Sequence, residues 1–211
     1  MQYRYPTIKI LIFTKPPIAG KCKTRLIPCL GEQGAAQLQE SLLLKIISDL
    51  IEFNLCPFEI WQSEESNYFT QLQVGSELVI NTQQGNDLGE RMSNAMSKGL
   101  LASDGVLIIG SDCAEYTKSY FEKAIKLLLK QKSVIGPAYD GGYLLIGLTR
   151  LYPQLFQNIK WGSSQVLATT LIAFNNLSIA YSTLDPLHDI DRPEDLPHLR
   201  KIEPNLISNQ F

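Results

Sequence analysis

The sequence predicts a single α/β domain with a mainly parallel sheet that is covered by helices on both faces. Short apolar, β-branched segments alternate along the chain with longer segments whose apolar residues recur every three or four positions. A length of 211 residues suits one domain. No repeat, low-complexity tract or linker divides the chain. We therefore expect one domain over residues 1–211, in which residues 202–211 are a loose tail.

The strands are predicted from short apolar runs. The first run, residues 8–13, ends at the breaker pair Pro16-Pro17. The turn residues 139–142 separate two runs that suit a hairpin. The predicted strands are residues 8–13, 58–61, 78–80, 105–110, 134–138, 143–148 and 178–184.

The helices are predicted from amphipathic periodicity. Ala35, Leu38, Leu42, Ile46 and Leu50 share one face of the longest helix. Helix starts are supported by residue types that cap, namely a threonine at 117 and a serine at 163. The predicted helices are residues 33–53, 88–101, 118–130, 163–174 and 193–200.

The composition is that of a soluble protein, with 45% apolar residues and a formal net charge of −2. A nearly balanced charge argues against a broad nucleic-acid-binding face. No apolar run reaches the roughly 18 residues that a membrane span needs, and the apolar start lacks the architecture of a signal peptide. We expect a cytoplasmic protein without a nucleic acid partner or a membrane span.

Cysteine and histidine are sparse. Cys22, Cys29, Cys56 and Cys113 form no C-x-x-C pair, and the chain has two histidines. This spacing disfavours a zinc site. In the cytoplasm, free reduced thiols are expected.

A cation-rich loop follows the first predicted strand. Ligands of open α/β sheets bind outside the carboxyl ends of strands, and lysine and arginine neutralise phosphate oxygens. The loop departs from a P-loop, because Cys22 follows Lys21 and Lys15 stands at the first glycine position. The alternative is a solvated basic loop. The candidate phosphate ligands are Lys15, Gly20, Lys21, Lys23, Thr24 and Arg25.

An acidic residue, Asp112, follows the very apolar segment 105–110 through Ser111. Hard cations take oxygen ligands, and Mg²⁺ commonly uses one or two carboxylates together with substrate phosphates. Asp112 is therefore a candidate ligand of Mg²⁺ or Mn²⁺, and Ser111 a candidate nucleotide contact. An aspartate that caps a turn is the alternative.

A late acidic segment offers a second carboxylate. Asp191 and Glu194 precede the last predicted helix in a pattern typical of a capping box, with Asp191 as the N-cap. The functional alternative makes Asp191, or Asp189 in its place, the second ligand of the metal.

Two further segments carry candidate contacts. Asp140, Gly141, Gly142 and Tyr143 form first of all a hairpin turn, whose glycines could also let a substrate approach the backbone. Asp87, Gly89 and Arg91 mark a helix start at which amides and a cation could meet an anion. Trp161 is a candidate pocket wall, although a buried core tryptophan is an equal alternative.

Taken together, these segments resemble a family of bacterial proteins with a GT-A-type fold, long filed as a domain of unknown function. Some of its members are labelled arsenosugar-biosynthesis glycosyltransferases. More distantly, the order of motifs is similar to that of 2-phospholactate and molybdenum-cofactor guanylyltransferases. One departure is Ala114, where the family usually has proline. The matching stretches, in order from residue 13 to 196, are FTKPPIAGKCKTRL, DLGERM, GSDC, GPAYDGGYLLIGL, IKWGSSQVL and DIDRPEDL.

The resemblance implies a three-layer GT-A fold, like that of nucleotide-diphospho-sugar transferases, with a mainly parallel mixed sheet. It implies a metal-dependent transferase that uses a nucleotide-activated donor, as a glycosyltransferase acting on a small molecule. Lys23, Arg25 and Asp140 are then the candidate catalytic residues. Two alternatives stay open: transfer of NMP from an NTP to a phosphorylated small molecule with release of pyrophosphate, and a non-catalytic nucleotide-binding module.

Overall fold

The protein forms a seven-stranded mixed sheet between layers of helices, as seen in a computed structural model that describes residues 2–72 and 78–206. The strands are β1 (Ile8–Thr14), β2 (Phe58–Gln62), β3 (Val79–Thr82), β4 (Gly105–Gly110), β5 (Ser133–Pro137), β6 (Tyr143–Leu148) and β7 (Tyr181–Thr183). The helices are α1 (Ile27–Phe53), α2 (Asn67–Thr70), α3 (Leu88–Leu100), α4 (Lys118–Leu129), α5 (Val166–Asn176) and α6 (Leu196–Ile202).

The strand order is β3-β2-β1-β4-β6-β5-β7. β1 pairs in parallel with β2 and β4, β2 pairs in parallel with β3, and β5 pairs in parallel with β7. β6 is antiparallel to both of its neighbours, β4 and β5. The predicted α/β fold with a mainly parallel mixed sheet is thus confirmed, and β1 to β4 place their carboxyl ends at one edge.

The two faces of β1 explain the apolar run at residues 10–13, while Lys9 near its start pairs with Glu59. Ile10 and Ile12 belong to the core cluster on the side of α1 and α4, whereas Leu11 and Phe13 belong to the cluster on the side of α3. Successive side chains of a strand point to opposite faces, so a strand that is covered on both faces is apolar throughout.

Three helices, α1, α5 and α6, begin elsewhere than predicted. α6 begins at Leu196 instead of Pro193, because Pro193–Asp195 form a turn of 3-10 helix. α1 begins at Ile27, six residues before the predicted start, and passes through Gly31 with a φ of 71°. The first turn lies outside the periodic apolar face, so its sequence carries no helical pattern. α5 begins at Val166 instead of Ser163, because the Ser163 hydroxyl accepts the Gln165 N–H within the preceding turn.

The predicted tail begins with ordered structure. Pro204–Leu206 form a turn of 3-10 helix, and Leu206 packs against a third cluster between α1 and α6. The rest of that prediction, residues 207–211, lies outside the described residues. Within residues 2–72 and 78–206, no helix combines the length and the apolar character needed to cross a membrane.

Candidate functional site

A cleft of about 680 Å³ opens at the carboxyl edge of the central strands. Residues directly after each of the four neighbouring parallel strands line it: Lys15 after β1, Ser63 after β2, Gln83 after β3 and Ser111 after β4. This is the edge at which open α/β sheets bind ligands. The cleft is therefore the first place to look for a functional site.

The cation-rich loop places Lys23 into this cleft. Lys23 has φ 46° and ψ 39°, a left-handed conformation that is uncommon for a residue with a side chain. The Cys22 thiol beside it is buried and donates to the Ile18 carbonyl, which anchors the loop. Positive φ at a non-glycine residue is strained backbone, and such strain persists only when its surroundings hold it.

The Lys23 ammonium is held by two oxygens. Its Nζ donates to Asp112 Oδ1 and to the Ile190 carbonyl, both at 2.5 Å. The Lys23 side chain is 2% exposed, whereas that of Asp112 is 44% exposed. The Ile190 N–H in turn donates to the Asp112 carbonyl at 2.8 Å. The loop after β1, the end of β4 and the late acidic segment are thus joined at one point.

A second ion pair lies beside the first. Arg25 Nη1 donates to Asp191 Oδ2 at 2.5 Å, and both side chains are partly exposed. Each of the two predicted metal ligands, Asp112 and Asp191, is therefore paired with a cation from the loop after β1.

The capping-box interpretation of Asp191 is replaced by a different cap. Asp195 Oδ2 accepts the N–H groups of Asp191 and Arg192, at 2.9 and 2.7 Å. Asp195 therefore stabilises this turn, and the Asp191 carboxylate faces Arg25 in the cleft. The acidic residue that completes the motif sits one position later than the sequence pattern indicated.

The carboxylates of the cleft repel one another. Burial, followed by the neighbouring charge of Asp140, raises the pKa of Asp189 to about 6. Asp195 and Asp112 add to this effect, while a backbone hydrogen bond opposes it. Burial and the neighbouring carboxylates therefore both disfavour the ionised form of Asp189.

The cleft floor contains a closed polar network, in which Ser111 was a predicted site residue and Thr14 and Gln39 were not. Gln39 Nε2 donates to Ser111 Oγ at 3.0 Å and to Thr14 Oγ1 at 3.2 Å, and the Ser111 hydroxyl donates to Thr14 Oγ1 at 2.9 Å. All three side chains are buried. The signal for Gln39 is its position four residues after Ala35, on the otherwise apolar face of α1.

Other lining residues were also missed, among them Ser63, Gln83 and Arg192. Ser63 and Gln83 each follow a parallel strand directly, so the carboxyl-end rule that selected Asp112 could have found them. Arg192 stands within the late acidic segment and carries no pattern of its own.

An apolar recess of about 200 Å³ adjoins the cleft and shares part of its wall. Met92, Leu144, Trp161 and Val166 contribute apolar surface to it. Trp161 is held in place by close packing on Gly89, where an added Cβ would meet the indole ring at 2.9 Å. Gly89 is thus a packing position that lets α3 approach this tryptophan.

The hairpin turn between β5 and β6 borders both cavities. Asp140 Oδ1 accepts the Gly142 N–H at 2.8 Å, and Gly141 has a φ of 91°. An added Cβ at Gly141 would collide with the backbone of Ser164. The turn prediction therefore agrees with the local geometry, and the exposed Asp140 carboxylate lies where the cleft and the recess meet.

The structure gathers most of the predicted site residues around this cleft: Lys15, Lys23, Arg25, Arg91, Ser111, Asp112, Asp140, Gly142, Tyr143, Asp189 and Asp191. Trp161 lines the adjoining recess. The remaining ones do not belong to the cleft wall: Gly20, Lys21, Thr24, Asp87, Gly89 and Gly141.

The residues outside the wall have local roles. Lys21 pairs with Glu64 at 3.6 Å on the surface, Thr24 begins a short 3-10 helix, and Asp87 caps α3 by accepting the Glu90 N–H. Arg91 reaches the cleft wall while its Nε donates to the Gly85 carbonyl at 3.1 Å.

Solved structures with this fold include several enzymes of nucleotide chemistry. A candidate nucleotide-diphospho-sugar transferase from Desulfovibrio desulfuricans shares 29% sequence identity with this chain and superposes with a TM-score of 0.85. The superposition covers 96% of this chain and 91% of the other protein. The 4-diphosphocytidyl-2C-methyl-D-erythritol synthase of Anaerococcus prevotii matches with 11% sequence identity and a TM-score of 0.58, over 93% of this chain and 95% of the synthase.

A Mycobacterium tuberculosis protein solved in complex with manganese matches with 9% sequence identity and a TM-score of 0.57, over 93% of this chain and 99% of that protein. A comparison with curated protein sequences finds no significant match. Residues 47–163, more than half of the chain, match the family described as "Uncharacterized protein conserved in bacteria (DUF2064)". The chain therefore belongs to this bacterial family and has the nucleotide-diphospho-sugar transferase-like fold.

Proposed function

We propose that the protein is a metal-dependent transferase that uses a nucleotide-activated donor, and that it transfers a glycosyl group to a small-molecule acceptor. The observation that carries this proposal is the composition of the cleft, where Lys15, Lys23, Arg25 and Arg91 share one cavity with carboxylates. Cations suit phosphate oxygens, and carboxylates suit a divalent ion that bridges to them. The similarity to a candidate nucleotide-diphospho-sugar transferase supports the glycosyl form.

The carboxylates fit Mg²⁺ or Mn²⁺. Their oxygens are the ligands that hard cations prefer, and a cation would relieve the repulsion from neighbouring carboxylates that, after burial, raises the pKa of Asp189. No three of the cleft carboxylates in the described part of the chain bring their ligand atoms within 4.8 Å of one another. We therefore assign two carboxylate ligands, Asp112 and Asp191, with Asp189 as the alternative to Asp191. We expect phosphate oxygens of the donor to complete the coordination shell of the ion.

Bound there, the ion would neutralise charge on the leaving phosphate. The protein's own contribution is the loop after β1. Lys23 and Arg25 now neutralise Asp112 and Asp191. If the two carboxylates bind the divalent ion, both cations become free to donate hydrogen bonds to phosphate oxygens. Such hydrogen bonds stabilise developing charge most strongly in a preorganised site that excludes water. The left-handed backbone conformation of Lys23 directs its side chain into the cleft.

The adjoining recess suits the acceptor. Its wall is mainly apolar, and Asp140 and Tyr143 stand at its junction with the cleft. A small molecule with an apolar part would bury surface there, with its reactive group toward the cleft. Asp140 is the candidate that orients this group or accepts its proton.

Nucleotidyl transfer is the second candidate. The cationic loop favours it, because three or more cations around one cavity suit a triphosphate as well as a diphosphate. The synthase from Anaerococcus prevotii, named for a diphosphocytidyl product, shares the fold. A nucleotide-binding module without catalysis is the third, since fold does not fix function.

One panel separates these candidates. The protein is incubated with Mn²⁺ or Mg²⁺, a set of nucleotide sugars or NTPs, and a mixture of small-molecule acceptors, and the released products are separated by chromatography. Release of nucleoside diphosphate supports glycosyl transfer, and release of pyrophosphate supports nucleotidyl transfer. A thermal shift without turnover supports the binding module. Neither turnover nor a shift with any nucleotide would refute the proposal.

Arg25→Ala is the variant to compare in that panel. It removes an exposed cation from the cleft wall, so nucleotide affinity should fall by about tenfold at low salt and by less at high salt. Lys126→Ala is the matched control, because Lys126 is a similarly exposed cation on α4 that pairs with Glu122, outside the cleft.

A further inference from the structure

Both histidines of the chain meet one glutamate beside the cleft. We propose that Glu115, His188 and His198 form a binding site for a divalent transition-metal ion of the zinc type. This site is separate from the carboxylates assigned above to Mg²⁺ or Mn²⁺. It uses nitrogen ligands, whereas the cleft site offers oxygen.

The geometry brings three ligand atoms together. His198 Nε2 lies 2.6 Å from Glu115 Oε1, and His188 Nδ1 lies 3.3 Å from each carboxylate oxygen. The imidazole centroids are 4.0 Å apart. In the described part of the chain this is the one group of three potential ligands whose atoms all fall within 4.8 Å of one another.

These separations are close to those of a tetrahedral site. Zinc–nitrogen and zinc–oxygen bonds of about 2.0–2.2 Å place neighbouring ligand atoms roughly 3.3 Å apart. The distance from His188 to Glu115 already has this value, and that from His198 to Glu115 must open by about 0.7 Å. Two histidines and one carboxylate are a set that zinc uses when a fourth position is left to water.

The exposure of the three side chains suits metal binding. The side chains of Glu115, His188 and His198 are 20%, 37% and 29% exposed, so an ion and a water can reach them.

Three separate parts of the fold supply the ligands. Glu115 lies in the loop between β4 and α4, His188 between β7 and the last helix, and His198 within α6. An ion would therefore cross-link segments that are 73 and 83 residues apart in sequence. Cross-links of this kind stabilise the folded state by the free energy of binding.

The site is also connected to the cleft. His188 directly precedes Asp189, and its ring stacks on Tyr139 at 4.1 Å, the residue before Asp140. The Tyr139 N–H donates to the Leu187 carbonyl at 3.2 Å. An ion at the histidines would hold both cleft carboxylates through their chain neighbours, so it would act as a structural support for the cleft.

The presence of two histidines makes a direct test possible. In untagged protein labelled at histidine, the imidazole NMR resonances report this site alone. Zn²⁺ is titrated into metal-free protein in the presence of excess Mg²⁺. We expect the resonances of both imidazoles to shift and to saturate at one equivalent of Zn²⁺. The melting temperature should rise by about 5–10 °C at a hundredfold excess over the dissociation constant.

Glu115→Gln tests the third ligand and should weaken Zn²⁺ binding by about tenfold or more. Glu122→Gln is the matched control, because its side chain is also 20% exposed and also ion-paired. Unchanged imidazole resonances at excess Zn²⁺, displacement by Mg²⁺, or equal affinity in Glu115→Gln and wild type would overturn the proposal. The Zn²⁺ titration of the wild-type protein tests the proposal even if the Glu115 variant fails to fold.

Discussion

The pair of Lys23 and Asp112 predicts an unequal response to mutation of its two members. The ammonium is buried and the carboxylate is nearly half exposed. Asp112→Asn leaves a buried charge without its counter-charge, whereas Lys23→Met leaves a carboxylate that water can solvate. In metal-free protein, Asp112→Asn should therefore cost more free energy of unfolding than Lys23→Met.

The magnitudes follow from the exposure of each partner. Breaking a fully buried pair costs about 3–5 kcal/mol, but the Ile190 carbonyl still accepts a hydrogen bond from Lys23 in the Asn variant. We expect about 2 kcal/mol for Asp112→Asn. Lys23→Met keeps the buried methylene chain and loses both hydrogen bonds of the ammonium. Water solvates the exposed Asp112 carboxylate, so the remaining loss, that of the bond to the Ile190 carbonyl, costs about 1 kcal/mol. In the double variant the buried ammonium is absent, so Asn at position 112 leaves no unpaired charge. The loss of free energy of unfolding should therefore stay near 1 kcal/mol, that of Lys23→Met alone.

Urea unfolding of the four proteins in EDTA, followed by circular dichroism, measures these terms. The expected coupling energy is about 2 kcal/mol, the difference between the sum of the single variants and the double variant. Lys21→Met is the control, because Lys21 forms an exposed pair with Glu64 at 3.6 Å that contributes at most about 0.5 kcal/mol. Additive single effects, or a larger loss for Lys23→Met, would refute this account of the pair.

Three further predictions concern packing, capping and thiols. Gly89→Ala should lower stability by about 1–3 kcal/mol, because its Cβ would collide with the Phe156 carbonyl; an unchanged melting temperature would contradict this. Asp195→Ala should lower the free energy of unfolding by about 1 kcal/mol, because the cap is lost. Asp191→Asn should leave the melting temperature of the metal-free protein nearly unchanged. Thermal unfolding compares the two variants, and a larger loss for Asp191→Asn would show that Asp191 is the cap. In native protein only Cys29 should react rapidly with a thiol reagent, because the other three thiols are buried and burial raises their pKa values; four fast thiols would be inconsistent with this core.

Much of the fold could be predicted because its signals are local. Residues 10–13 of β1 and residues 106–109 of β4 are buried on both faces of the sheet and are therefore apolar. The turn at Asp140 predicts the antiparallel pair of β5 and β6, which the structure contains. The early start of α1 could not be predicted in this way, because residues 27–32 do not continue the apolar stripe.

The location of the cleft could also be predicted, but its internal contacts could not. The carboxyl-end rule places Lys15 and Asp112 at the same edge. The bond from Lys23 to Asp112 joins residues 89 positions apart and depends on a left-handed lysine. No pattern in the sequence specifies such a backbone conformation.

The histidines illustrate the same limit. Spacing along the chain disfavours a zinc site, because His188 and His198 are the chain's two histidines and no C-x-x-C pair accompanies them. The fold brings Glu115 between them from the loop after β4. Proximity of this kind arises from tertiary packing, so only the structure reveals it.

The central claim is that the cleft binds a nucleotide through a divalent ion held by Asp112. Calorimetric titration of nucleotide into the protein, with Mn²⁺ and then with EDTA, tests it most directly, using wild type and Asp112→Asn. The account predicts that wild type binds with Mn²⁺, that EDTA weakens binding by tenfold or more, and that Asp112→Asn behaves in Mn²⁺ like wild type in EDTA. Equal nucleotide affinity under all of these conditions would contradict it.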